Sequence, residues 1–182
     1  MINRTIIQIL FLTTLTISGP LLASHKSNNE TAGDITQIAL PLAAVTASLY
    51  HYDKPGLIEF AYAGLTTMAA VEILKYSVNR KRPNGHDRSF PSGHTAAAFV
   101  GAGYLQMRYG WAYGIPAYLL AGFTGYSRVE SKNHWTSDVI AGAAIGIGAN
   151  LLFTHPYQDK IKIIPYIDPK SKESGITFNY AE

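Results

Sequence analysis

The chain has 182 residues, 47% of them apolar and only 15% charged, with a formal net charge of +3, twelve tyrosines and no cysteine. That length supports one domain of ordinary size, and the charged share is below that of an average soluble domain. The small net charge leaves no footprint for nucleic acid, and the missing cysteine excludes disulfides, thiol nucleophiles and thiolate metal sites.

Residues 1–23 read as an export signal. Arg4 provides the positive start, residues 6–17 the apolar core, and Gly19-Pro20 the helix break, with Leu21-Leu22-Ala23 ahead of a polar stretch. The same residues would also serve as an uncleaved membrane anchor. Residues 24–33 read as a polar linker. Five helical segments follow at about 34–50, 56–79, 92–108, 111–126 and 137–154. Asp53-Lys54-Pro55-Gly56, Arg82-Pro83-Asn84-Gly85, Gly110 and the polar run 127–136 separate them. The expected fold is therefore all-α: an up-and-down bundle of five core helices over residues 34–156, plus the N-terminal signal or anchor helix. Glycine and alanine fill the apolar runs, as in closely packed helices in or on a membrane. Most segments offer about 16 apolar residues before a charge or breaker, short of the roughly 20 that span a bilayer. The polar tail, residues 157–182, alternates partially and predicts either a short β-hairpin or an unstructured end.

Parity of the helix ends is informative. In an up-and-down bundle the loop after the second helix (80–91) and the loop after the fourth (127–136) lie on the same side. If the leader stays as a sixth helix, those loops face the non-cytoplasmic side.

Three stretches bring chemistry to that side. Lys75 and Arg82 stand seven apart, near one helical face, and Pro83 ends the helix close to Arg82. An ammonium and a guanidinium fork converging at a helix end can hold phosphate oxygens, although basic residues at a helix end are also simply favoured by the dipole. Pro91-Ser92-Gly93-His94 opens the third helix. Ser92 fits an N-cap, Gly93 lets an anion approach the backbone, and the free amides of the first turn face that anion. His94 stands beside it and can give a proton to a leaving oxygen. In the third stretch His134 and Asp138 are four apart and should meet on one helical face, the carboxylate fixing the ring tautomer and freeing the other nitrogen as a nucleophile. Arg128 adds a third cation, and Ser127 would support the loop. Each stretch alone could be an ordinary capped or solvated helix end; one phosphoryl-transfer site explains all three. The acids form no carboxylate cluster with the histidines, so no metal cage is expected. His25, His51, His86 and His155 read as surface residues, with His86 near enough to touch substrate.

Lys75-x6-Arg82-Pro83, Pro91-Ser92-Gly93-His94 and Ser127-Arg128-x5-His134-x3-Asp138 resemble the three-part signature of the phosphatidic acid phosphatase type 2 / vanadium haloperoxidase superfamily, over roughly residues 56–154. The resemblance implies a helical, cofactor-free and metal-independent phosphatase passing through a phosphohistidine. It implies His134 as nucleophile, Asp138 as its orienting group and His94 as general acid. Lys75, Arg82 and Arg128 would hold the phosphate, helped by Ser92 and the Gly93 amide. The substrate would be a lipid-linked phosphate or diphosphate, handled in a bacterial envelope with the site facing the periplasm. The same resemblance admits a soluble periplasmic acid phosphatase and a vanadate-dependent haloperoxidase. The haloperoxidases are generally much larger. A mere binder of lipid phosphates would need the cations but not His94, His134 and Asp138.

Overall fold

Ser27 sets the first helix: its hydroxyl accepts the Glu30 N–H at 3.1 Å, and α1 runs over Asn28–Tyr50. The computed structural model describes residues 26–157, 161–167 and 174–180, so the expected leader lies outside the described residues. Residues 28–33, expected as linker, are helical. Part of this stretch makes tertiary contacts, as where Glu30 accepts the Asn133 side-chain amide at 2.8 Å and Gly33 is buried.

Asp53 caps α2 (Lys54–Val78) by accepting the Gly56 N–H at 3.0 Å, with proline in the first turn. The helix ends at Asn79, whose left-handed backbone (φ 42°) is a common stop. Ser92 caps α3 (Gly93–Tyr109) as the sequence predicts. Helix α4 (Trp111–Glu130) runs four residues past its expected end and carries Ser127 and Arg128 in its last turns; α5 follows over Thr136–Phe153. In the tail, β1 (Ile161–Ile167) and β2 (Ser174–Tyr180) pair antiparallel, Ile161 opposite Tyr180 and Ile167 opposite Ser174, so the hairpin forms.

Helix α3 is central and packs on all four others. Glycine sets how closely. A Cβ on Gly142 or Gly146 of α5 would lie 2.4 Å from the Ser92 carbonyl oxygen or 2.6 Å from that of Ala96, and one on Gly101 would meet the Leu40 backbone at 2.7 Å. The core these contacts enclose is small-residue rich: Leu40, Ala44, Ala98, Ala102, Tyr104, Leu105, Ala117 and Ala121. At the end away from the motif loops, buried Arg108 grips Asp53 at 2.6 and 2.7 Å and Glu59 at 3.1 Å. His51 stacks on Tyr109 there at 4.9 Å, so it is a packed residue rather than a free surface one.

Helix α1 begins six residues before its expected start, whereas α2 and α5 keep close to their expected lengths. Helices α1, α2 and α5, with 23, 25 and 18 residues, are long and apolar enough to cross a membrane. They turn Ile38, Leu42, Leu65, Met68, Ile140 and Leu151 outward, all more than half exposed. Such a belt is at home in hydrocarbon, where helices satisfy their own backbone.

Candidate active site

The motif loops are stitched together at one end of the bundle. The Asn84 backbone N–H donates to the Lys132 carbonyl at 3.1 Å, its side-chain amide to Asn133 at 2.9 Å, and the Trp135 indole to the Lys81 carbonyl at 2.9 Å. Arg80 donates to Ser137 Oγ at 2.7 Å and to Asp138 Oδ1 at 3.1 Å while lying 5.2 Å over the Trp135 ring. The end of α2, the start of α3, the end of α4 and the start of α5 therefore meet, as parity requires.

His134 is held two residues ahead of α5 by its backbone N–H, which donates to the Arg128 carbonyl at 3.1 Å. It does not share a helical face with Asp138. Instead Asp138 reaches back over the helix start to accept the Trp135 N–H at 3.0 Å, and it takes a short hydrogen bond from Ser89 Oγ. His134 Nδ1 lies 3.7 Å from Asp138 Oδ2, ion-pair distance but too long for a hydrogen bond. Contacts of this kind commonly tighten when substrate binds. Burial first, then the Arg82 guanidinium, push the His134 imidazole down to about 4, opposed by the Ser89 backbone and Asp138. At neutral pH the ring keeps a lone pair, and Nε2 is the nitrogen turned from Asp138.

Ser92 spends its hydroxyl on Thr95, 3.3 Å from the N–H and 2.9 Å from Oγ1. It shapes the turn rather than reaching into the site. The Gly93 and His94 amides head the helix. Lys75 comes up against this turn: a Cβ on Gly93 would be 3.3 Å from its Nζ. The Arg82 Nε and His134 Nδ1 are buried and lack a hydrogen-bond partner among the described residues. Such groups cost about 1–3 kcal/mol each when left unpaired, so an arriving anion that accepts from Arg82 is favoured. Burial, then Arg128, push His94 down to about 4 as well, although its ring stays 38% exposed.

Arg128, only 2% exposed, spends three of its five N–H groups on α1 and on its own helix, which leaves one on each terminal nitrogen for an anion. Its NH1 donates to Asp34 Oδ1 at 2.7 Å, its NH2 to the Glu30 carbonyl at 2.6 Å, and its Nε to Ser127 Oγ at 3.1 Å. Asp34 Oδ1 also sits 3.3 Å from His94 Nε2. Sequence reasoning missed Asp34, Arg80 and Ser89. Parity could have found the first, because the start of α1 belongs to the same end; spacing alone signals neither of the others.

The arrangement can hold a tetrahedral oxyanion between Lys75, Arg82, Arg128 and two helix-head amides, with an unprotonated imidazole on one side and a second imidazole on the other. Among the described residues no three His, Asp or Glu side chains are grouped to hold a metal ion.

Comparison with known proteins places this geometry in context. Residues 84–162 match the family model of the PAP2 superfamily, a stretch holding Ser92, Gly93, His94, Arg128, His134 and Asp138. A lipid A 4'-phosphatase of Helicobacter pylori is 34% identical over 167 residues, covering 83% of this chain and 84% of that protein. A lipid A 1-phosphatase of Porphyromonas gingivalis is 49% identical over 78 residues, 40% of this chain but 17% of that protein. The crystal structure of Aquifex aeolicus LpxE superposes with a TM-score of 0.56 at 27% identity, over 80% of this chain and 92% of that one.

Proposed function

The chain belongs to the PAP2 superfamily and is a phosphatase, a hydrolase of phosphoric esters or anhydrides; we propose that it removes a phosphate monoester from a lipid of the lipid A type, through a phosphohistidine on His134. One observation carries the mechanism: His134, His94, Arg82 and Arg128, scattered over 53 residues of sequence, meet at one end of an apolar bundle.

In this reading Lys75, Arg82, Arg128 and the Gly93 and His94 amides hold the non-bridging oxygens. His134 Nε2 attacks phosphorus in line. The bond from phosphorus to the lipid oxygen breaks, its electron pair staying on that oxygen, which takes a proton from His94. Water, deprotonated by the now neutral His94, then attacks phosphorus. The N–P bond electrons return to His134, and inorganic phosphate leaves. His94 must be charged at the first step, and a bound phosphate dianion beside it raises its proton affinity in the required direction.

The names of the Helicobacter and Porphyromonas relatives support a lipid A-type substrate. The outward apolar faces of α1, α2 and α5 support a membrane seat and weigh against a soluble acid phosphatase. With a bacterial export leader ahead of it, the site would face the periplasm.

The test is phosphate release by purified protein in detergent with EDTA, on lipid A, phosphatidic acid, phosphatidylglycerol phosphate, a polyprenyl diphosphate and an aryl phosphate. Lipid A is expected to be the best substrate, and His134→Ala to lower turnover at least about 10⁴-fold. Full activity in that variant removes the phosphohistidine. Preference for the aryl ester removes the lipid substrate.

A further inference from the structure

Asp34 is a carboxylate in a place the three motifs do not account for. It lies in the second turn of α1, one oxygen shared between Arg128 NH1 at 2.7 Å and His94 Nε2 at 3.3 Å, the other 2.7 Å from Lys26 Nζ. The docking that brings it there is built in. Gly33 lies so close to α4 that a Cβ would overlap Ser127 Oγ and come within 2.6 Å of Arg128 NH2. One turn on, Thr36 and Thr124 share a hydroxyl hydrogen bond of 2.7 Å.

The charges facing His94 make that carboxylate consequential. Arg128 from α4, Lys75 from α2 and His134 from the loop before α5 all disfavour a charged imidazole; among the described residues Asp34 from α1 is the group that favours it. A general acid surrounded by cations loses its proton early, and a free ring leaves its tautomer undecided. A carboxylate 3.3 Å from Nε2 answers both: it is placed to take Nε2–H as the contact tightens, it favours the charged ring, and it leaves Nδ1 for the leaving oxygen.

We propose that Asp34 is a positioning residue for the reaction, orienting His94 through Nε2 and, together with the bound phosphate dianion, favouring its charged form as the acid that protonates the departing lipid oxygen. This rests on the phosphohistidine reading above. It assigns α1 a part in the chemistry as well as in the packing.

The measurement is the ratio of kcat on two substrates: a lipid phosphate, whose alkoxide cannot leave without a proton, and an aryl phosphate, whose phenolate can. Both report the same active molecules, so the ratio does not depend on how much of a variant folds. In Asp34→Asn the lipid-to-aryl ratio is expected to fall about 10–100-fold, part of the 10²–10⁴ that general acid catalysis supplies. The basic limb of the lipid kcat/KM profile should move to lower pH. Asp34→Glu should recover part of the ratio. A ratio within about 3-fold of wild type in Asp34→Asn, with both rates lowered equally or neither lowered, would mean that Asp34 only fastens α1 to Arg128, and overturns the proposal. Wild-type activity surviving in His134→Ala overturns the phosphohistidine and this inference together, which separates the two failures.

Discussion

Gly142 of α5 gives the sharpest test of how the bundle holds its site. A Cβ there would lie 2.4 Å from the Ser92 carbonyl oxygen and 3.3 Å from the Ala96 nitrogen, both backbone atoms that cannot swing aside. To restore ordinary contact, α5 and the start of α3 must separate by about 1 Å. Those two helix ends carry Asp138 and His94, with His134 tethered just ahead of α5. Overpacking of this kind costs about 1–3 kcal/mol of stability, and a misplacement near 1 Å costs about 10²-fold in rate. Gly142→Ala should therefore lower kcat about 100-fold per folded molecule, measured as phosphate release in detergent beside thermal unfolding of the same preparation. Gly148→Ala is the control: the same helix, the same substitution, and nothing within 4 Å of the new Cβ. Wild-type kcat in Gly142→Ala, or equal behaviour of the two variants, would refute the claim that α3–α5 contact sets the distance between the histidines.

Two other measurements bear on different parts of the molecule. With His134 pushed down to about 4, its nucleophilic form is present above that pH and lost below it. After correction for the second ionisation of the substrate phosphate, the acid limb of kcat/KM that belongs to the enzyme should fall near pH 4; a limb near 6.5 would contradict the burial of this ring. At the far end, Arg108→Met leaves Asp53 buried with, among the described residues, only the Gly56 N–H and Tyr109 hydroxyl as donors. Unfolding in detergent should show a loss of about 3–5 kcal/mol, with kcat per folded molecule retained, and the Arg108→Met/Asp53→Asn double variant should lose less than the sum of its singles. A loss below about 1 kcal/mol in the single variant would remove that ion pair from the account of stability.

Much of this protein is legible in its sequence because the signals are local. Ser92, Asp53 and Pro55 mark helix starts through their own backbone chemistry, and Gly110 marks a stop. Apolar runs give five helices, and parity alone puts the motif loops at one end. What the sequence misplaces depends on partners far along the chain. Residues 28–33 look like linker until Glu30 and Gly33 meet Asn133 and Ser127. His134 and Asp138 look like one helical face, yet a helix start falls between them and the carboxylate turns back to cap it. Asp34 bonds to an arginine 94 residues away. Helix caps and periodicity act over a few residues, so sequence carries them directly. Which carboxylate faces which histidine follows from how closely glycine-lined helices approach, and that is settled only when all five pack together.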